Sequence, residues 1–230
     1  MSKKLSRRLS ACLDALSSLS RIADIGTDHA HLPCYGVANG MIDSAIAIDV
    51  IDGPLVGAKR TIADYGLTNK IKLRKGSGFE PLEIGEVEGV NIAGMGGKLI
   101  SQLLLASMPV AKSMKILVFQ PQGGEFILRK TLIENDFAIV GEQLLEEDGI
   151  IYTIITAEPS QTSTVYTDLD LIFGSLLRQD VKDELFTEKW NQEIVAIDKI
   201  LGKIPEGNVR KNEFVEKKKI IEEVLSGVIG

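Results

Sequence analysis

The stretch Ala23-Asp24-Ile25-Gly26-Thr27-Asp28-His29-Ala30 constrains the fold of this chain more than any other. It closes a short apolar run, Arg21-Ile22-Ala23, and leads into a helical pattern beginning at His31-Leu32-Pro33. That order is a strand, a tight acidic turn bearing a glycine, and a helix. Such a junction aims backbone N–H groups at whatever binds beyond the carboxyl end of the strand. The two carboxylates of the turn would repel a pyrophosphate. They suit a ligand with cationic or hydrogen-bond-donating groups, such as the ammonium and sulfonium of S-adenosylmethionine.

The alternation recurs along the chain. Strand-like runs at 21–25, 43–49, 71–75, 89–93 and 115–119 alternate with helical segments at about 31–39, 54–65, 97–107 and 124–135. This predicts an α/β fold with a doubly wound, mostly parallel sheet, its first five strands short and apolar as strands covered on both faces should be. Two further runs, 137–144 and 150–157, are separated by Glu146-Glu147-Asp148-Gly149. Asp-Gly between apolar runs signals a hairpin, so these strands should be antiparallel neighbours. A parallel sheet that ends in such a hairpin is the layout of Rossmann-like class I methyltransferases.

Before the sheet, Leu5, Leu9, Leu13 and Leu16 recur at helical spacing, so residues 3–18 should form an amphipathic helix. Met1-Ser2-Lys3-Lys4-Leu5-Ser6-Arg7-Arg8 is basic, but no long apolar core follows, which argues for a helix and against a signal peptide. The cytoplasm is the expected location. After the sheet, Glu158-Pro159-Ser160-Gln161-Thr162-Ser163-Thr164 turns polar, which places a domain boundary there: residues 1–158 a catalytic domain, residues 159–230 a helical one. In the second part Trp190, Ile194, Ile197, Leu201 and Ile204 make one apolar stripe, and Phe214, Ile221, Leu225 and Val228 another. With Pro205-Glu206-Gly207-Asn208 as a turn, this reads as a helical hairpin resembling an antiparallel coiled coil. Lys217-Lys218-Lys219 and Arg210-Lys211 are either phosphate contacts or a solvated helix face.

Charge and composition exclude several classes. The formal net charge is −6, of which −2 falls in residues 1–156 and −4 beyond, so the chain is not a basic nucleic-acid glue. Local patches can still meet phosphates. No apolar run approaches the roughly 18 residues of a bilayer span. Cys12 and Cys34 read as buried small hydrophobes, not as a disulfide. His29, His31 and Cys34 are close in sequence, but His-x-His-x-x-Cys is a poor zinc pattern and no second cluster completes it, so no metal is expected.

Other residues point to a nucleoside cofactor. Asp49 ends the second strand, 23 residues after Gly26, where an acid accepts hydrogen bonds from ribose hydroxyls. The turn lacks the further glycines of G-x-G-x-x-G, which argues against NAD. Asn91-Ile92-Ala93-Gly94-Met95-Gly96-Gly97 ends the fourth strand, and its glycines let backbone approach a ligand closely. The Asn/Asp-Pro-Pro-aromatic element that grips exocyclic amines is absent here, which points to another acceptor atom. Gln120 and Gln122 end the fifth strand with amides that could meet a base edge. Arg129 on the following helix is a further candidate, or a plain surface arginine.

Taken in order, Asp24-Ile25-Gly26-Thr27-Asp28-His29-Ala30 with Leu32-Pro33, Gly53-Pro54, Ala93-Gly94-Met95-Gly96-Gly97, Gln120-Pro121, and Glu146-Glu147-Asp148-Gly149 with Tyr152 resemble the bacterial tRNA (adenine-22-N1)-methyltransferase family. The likeness runs from residue 1 to about 157, and Leu5-Ser6-Arg7-Arg8-Leu9 resembles the family's basic first helix. It implies a Rossmann-like methyltransferase domain with a C-terminal coiled coil, S-adenosylmethionine as cofactor, tRNA as partner, and N1 of adenine 22 as the acceptor. On this resemblance Asp24, Gly26 and Thr27 would hold the methionine end and Asp49 the ribose. Gly94, Met95 and Gly96 would line the meeting point of cofactor and base. Asp28 and His29 would stand at the reacting edge of the base, and Arg8 would contact a phosphate or orient an acid. Two departures stand out: His31 replaces a usual tyrosine, and Gly76-Ser77-Gly78-Phe79 replaces Gly-Asp-Gly-Leu, so Ser77 can offer the cofactor's adenine amine only a weaker contact than an aspartate. Other readings of the chain are a small-molecule methyltransferase, a non-catalytic cofactor- or RNA-binding module, and a dehydrogenase.

Overall fold

The computed structural model of the chain describes residues 4–160, 165–205 and 208–228. Gln161 to Thr164 of the expected boundary, Glu206-Gly207 of the expected tail turn, and Met1 to Lys3 lie outside the described residues. The strands are β1 Arg21–Ile25, β2 Ser44–Asp49, β3 Ile71–Lys75, β4 Gly89–Met95, β5 Ile116–Pro121, β6 Phe137–Glu147 and β7 Ile150–Pro159. They form one sheet in the order β3-β2-β1-β4-β5-β7-β6. The first five are parallel, and β7 runs antiparallel to both β5 and β6. This is the parallel sheet with a terminal hairpin that the alternation predicts.

Period-two alternation assigns each strand's side chains to two cores. Ala23, Ile25, Ile46 and Ile48 point to one face, where α4 (Gly97–Ala106) and α6 (Glu125–Glu134) contribute Ile100, Leu104, Leu128 and Leu132. Ile22, Ala45 and Ala47 point to the other, under α1 (Arg7–Asp14), α2 (His31–Ala38) and α3 (Asp52–Asp64), with Leu13, Leu32 and Ile62. β3 departs from the expectation of a strand covered on both faces. It is the sheet's edge, and Lys72, Arg74 and Lys75 keep it partly exposed, as charges on an edge discourage pairing with another chain.

The amphipathic first helix is shorter than its periodicity suggests. Ser6 caps α1 by accepting the Leu9 N–H at 3.2 Å, and the helix ends at Asp14. A short helix, α5 (Met108–Ala111), continues α4. Beyond the sheet come α7 (Asp168–Phe173), a 3-10 turn at Leu177–Asp180, α8 (Glu184–Leu201) and α9 (Val209–Leu225). Phe173, Phe186, Trp190, Ile197, Ile221 and Val224 bury against each other as a third core. Val228, expected in the second apolar stripe, lies past the end of α9 and is 72% exposed.

Arg129 is neither a surface arginine nor a base contact. It is 2% exposed, and its Nε donates to Glu142 Oε1 at 2.8 Å while Nη1 donates to the carbonyls of Leu171 and Ile172, both at 3.0 Å. Glu142 Oε2 in turn accepts the Leu176 N–H at 3.1 Å. A second tie joins Lys189 of α8 to Glu125 at 2.8 Å and to the Thr153 hydroxyl at 2.7 Å. Burial pushes the Glu125 carboxyl up, but the charge and hydrogen bond of Lys189 outweigh it and hold the group below its ordinary value. The helical segment is thus fixed to the sheet through polar groups of α6, β6 and β7.

Candidate active site

The strand order reverses between β1 and β4, and open α/β sheets form their crevice outside the carboxyl ends at such a point. A cleft of about 430 Å³ opens there. Arg8, Asp24, Gly26, Thr27, Asp28, His29, Asp49, Gly94 and Met95 all line it. Ser77 and Gly96 do not. Ser77 follows β3, near the end of β2 through the Gly76 N–H bond to the Asp49 carbonyl at 3.0 Å. Gly96 is the N-cap residue of α4. Larger hollows of about 780 and 680 Å³ run along α8 and between α6, β7 and α8, away from the acidic turn.

The turn after β1 is bound to β2, which corrects one expectation. The N–H groups of Gly26 and Thr27 both donate to the Ile48 carbonyl, at 2.9 and 3.0 Å, and the Asp28 N–H donates to Asp49 Oδ2 at 3.2 Å. These donors hold the fold and do not point at a ligand. Asp28 and Ala30 sit at φ 52° and 56°, in the left-handed region that costs an alanine about 1–2 kcal/mol. Neither Thr27 nor Asp28 caps α2. Ala30 occupies the cap position without a side-chain bond, and the Thr27 hydroxyl donates instead to Asp24 Oδ2 at 2.6 Å.

Asp24 is the most buried acid of the cleft, at 4% exposure. Burial raises its carboxyl above the usual range and the nearby Asp49 charge adds to this, while hydrogen bonds from Asn91 and Thr27 pull it back. Asn91 Nδ2 donates to Asp24 Oδ1 at 2.7 Å. The Asn91 Oδ1 atom is buried and has no hydrogen-bond partner, a state that favours a donor arriving with a ligand. Asp49 accepts the Ile51 N–H on Oδ1 at 3.0 Å as well as the Asp28 N–H on Oδ2. Each of its oxygens keeps a lone pair for a further donor.

On the opposite wall β4 carries a bulge. Its register against β5 slips between Ala93 and Met95, leaving Gly94 unpaired at φ 81°. A Cβ at Gly94 would stand 3.8 Å from Arg8 Nη1, so the Arg8 guanidinium reaches over the bulge. Arg8 donates to Gln120 Oε1, and its Cζ lies 5.4 Å from the centre of the Tyr152 ring. Gln120 is fully buried, and its Nε2 donates to the Pro121 carbonyl at 2.9 Å, so its amide is not presented to a base edge. Gly97 has a packing reason of its own: a Cβ there would stand 2.2 Å from the Gly124 carbonyl oxygen.

Asp28 and His29 stand at the rim. Their side chains are 68% and 51% exposed, with Asp28 Oδ1 3.7 Å from His29 Nε2. The His29 ring rests on α3, where a Cβ at Gly57 would be 2.2 Å from its Nδ1. Among the described residues no three His, Cys, Asp or Glu side chains are placed to hold a metal ion, and no helix is long and apolar enough to cross a membrane. Cys12 and Cys34 are buried and free, and burial pushes both thiols up to about 12. In the tail, Lys217 and Lys218 are paired with Glu193 and Asp198 at 2.5 and 2.7 Å, which offsets their charge. Sequence reasoning left Asn91 and Tyr152 out of the site. The only sequence signal for Asn91 is a polar residue inside an otherwise apolar strand.

The sequence model of a family described as TrmK, tRNA (adenine(22)-N(1))-methyltransferase, matches residues 22–226. The tRNA (adenine(22)-N(1))-methyltransferase of Bacillus subtilis (strain 168) is 34% identical over 231 residues, covering 96% of this chain and 97% of that protein. Among solved structures, Streptococcus pneumoniae Sp1610 in complex with S-adenosyl-L-methionine superposes with a TM-score of 0.88 at 33% identity, over 96% of this chain and all of the other. The M. capricolum TrmK bound to S-adenosyl-homocysteine gives 0.86 at 28% identity, over 97% and 99% of the two chains.

Proposed function

This chain belongs to the TrmK family of tRNA (adenine(22)-N(1))-methyltransferases, and we propose that the cleft at the carboxyl ends of β1, β2 and β4 is where it methylates N1 of adenine 22 in tRNA. The cofactor is S-adenosylmethionine. The observation that carries the placement is the convergence of Asp24, Asp49 and the unpartnered Asn91 Oδ1 on one crevice. These are acceptors for a ligand rich in donors and positive charge. The methionine ammonium fits the Asp24–Asn91 pair, and the ribose hydroxyls fit Asp49. Met95 lies across the turn, because a Cβ at Gly26 would meet its Cε at 2.3 Å, and it shields the meeting point from water.

When bound, the cofactor supplies an electrophilic methyl group on sulfur. Adenine N1 carries an in-plane lone pair, so the N–C bond forms as the C–S bond breaks, the electron pair leaves with sulfur, and no proton need be removed first. The protein's tasks are alignment, exclusion of water and stabilisation of the positive charge that grows on the base. Asp28 is placed to do the last, because its side chain stands at the rim where an extruded base would cover it. His29 is held beside it by α3. In this reading Ser77 contacts the cofactor's adenine amine weakly, and Gly96, next to Met95 in the chain, lines the meeting point of cofactor and base. Residues 1–158 then make up the methyltransferase domain and residues 159–230 a helical appendage, and the reaction takes place in the cytoplasm with tRNA. The test is transfer of labelled methyl to unmodified tRNA transcripts, with nucleosides identified by mass spectrometry. The expected product is 1-methyladenosine that disappears when adenine 22 is replaced. Incorporation that persists after the replacement refutes the site of methylation.

A further inference from the structure

Arg8 is a cation held by neutral groups. Among the described residues no carboxylate lies within ion-pairing distance of it, although Asp24, Asp28 and Asp49 share its cleft. Its guanidinium is fixed by Gln120 Oε1 on one side and the Tyr152 ring on another, above the Gly94 bulge. Gln120 cannot drift, because it is fully buried and its Nε2 is tied to the Pro121 carbonyl. An acid at position 120 would hold the arginine as firmly but cancel its charge. An amide fixes the geometry and leaves the full charge available.

We propose that Gln120 is a positioning residue that acts through Arg8, fixing with Tyr152 an uncompensated guanidinium at the Gly94 bulge to take an oxyanion of the reacting complex. The inference rests on the methyltransferase reading above. It replaces the expectation that the Gln120 amide reads a base edge. The oxyanion has two possible sources in that reaction, the methionine carboxylate of the cofactor and a phosphate of the RNA beside the target. Arg8 does not serve the methylated edge itself, since a cation there would oppose the charge that develops on the base.

A double-mutant cycle tests the proposal: Arg8→Ala, Gln120→Met and the two combined, each assayed for kcat and KM toward tRNA and for cofactor affinity by calorimetry. Gln120→Met keeps the side chain's length and removes both hydrogen bonds. It should lower kcat/KM by about tenfold or more, the scale of a lost charge-assisted hydrogen bond, and have no further effect in the Arg8→Ala background. If the oxyanion is the cofactor's carboxylate, cofactor affinity falls by the same factor. If it is an RNA phosphate, KM for tRNA rises and the salt slope of binding drops by about one unit. Equal losses from Gln120→Met with and without Arg8 overturn the proposal. Tyr152→Leu, run through the same cycle, decides the matter if Gln120→Met does not fold. Should the wild-type protein methylate no tRNA, the function reading fails, and the calorimetric arm still judges the link between Gln120 and Arg8.

Discussion

Asp24 and Asn91 are register partners across β1 and β4, and the Asn91 amide donates to the Asp24 carboxylate at 2.7 Å. The pair spans the seam where the strand order reverses. It buries an acid whose charge is only partly offset by two hydrogen bonds, which is a poor arrangement for an empty protein and a good one for a cationic ligand.

Replacing that acid should therefore separate stability from binding. Because the folded-state value of Asp24 is raised, ionisation weakens the fold as pH climbs through it. Asp24→Asn should melt about 2–4 °C above wild type at pH 8 without cofactor, about 1 kcal/mol for a chain of this length. The gap should narrow as pH falls toward the unfolded value of about 3.9. Cofactor affinity should drop by about tenfold or more, as expected when a charged partner is lost. A variant that melts lower and binds normally would contradict both halves.

Asp28 faces solvent at the rim, so its loss should spare the cofactor, while an alanine in the left-handed backbone there costs the fold about 1–2 kcal/mol. Asp28→Ala is expected to slow single-turnover methyl transfer at saturating tRNA by about tenfold to a thousandfold, the range for removal of a group that stabilises developing charge. A rate close to wild type would remove Asp28 from the reaction.

The Arg129–Glu142 pair is nearly inaccessible to solvent, at 2% and 0% side-chain exposure. Arg129→Met leaves the Glu142 carboxylate without its partner and should destabilise by about 3–5 kcal/mol in a denaturant titration. Arg129→Met combined with Glu142→Leu should recover much of that loss, since an uncompensated buried charge is worse than none. Failure of the double variant to recover would show that the bonds to Leu171 and Ile172 dominate.

The Glu125–Lys189 tie should give the protein an acid-sensitive component. The Glu125 carboxyl is held low in the folded state, so its stabilisation is present above the unfolded value of about 4.3 and is lost as pH falls through the lower folded value. Lys189→Met should cost about 1–3 kcal/mol at pH 7, and the deficit should close as pH falls through the lowered folded value of Glu125. Denaturant midpoints measured from pH 3 to 7 read this directly, and a pH-independent deficit would assign the loss to packing.

The sheet was legible because its signals are local. Apolar runs, glycine-bearing turns and the Asp148-Gly149 hairpin each lie within a few residues. Most of the cleft was legible for the same reason, since Asp24 to His29 and Gly94 to Met95 are short motifs at strand ends. What escaped depends on partners distant in sequence. The turn's N–H groups go to Ile48 and Asp49, and nothing in Gly26-Thr27-Asp28 announces that. Arg129 looks like any helix-surface cation until Glu142 and the carbonyls of Leu171 and Ile172 surround it. The Gly94 bulge is a mismatch between β4 and β5, invisible in either strand alone.

Arg129 also bears on how the chain can be divided. The carbonyls it holds belong to the last turn of α7, a helix of six residues that could not persist in water by itself. A positive charge at that end satisfies the carbonyls and complements the helix dipole. The arginine that caps α7 comes from α6, on the other side of the polar stretch where composition suggests a cut. A fragment beginning at residue 159 would carry the sequence of α7 without the group that makes it a helix. The two halves are therefore distinct in composition but share custody of one structural element, and dissecting the protein at the compositional boundary would alter the piece being studied.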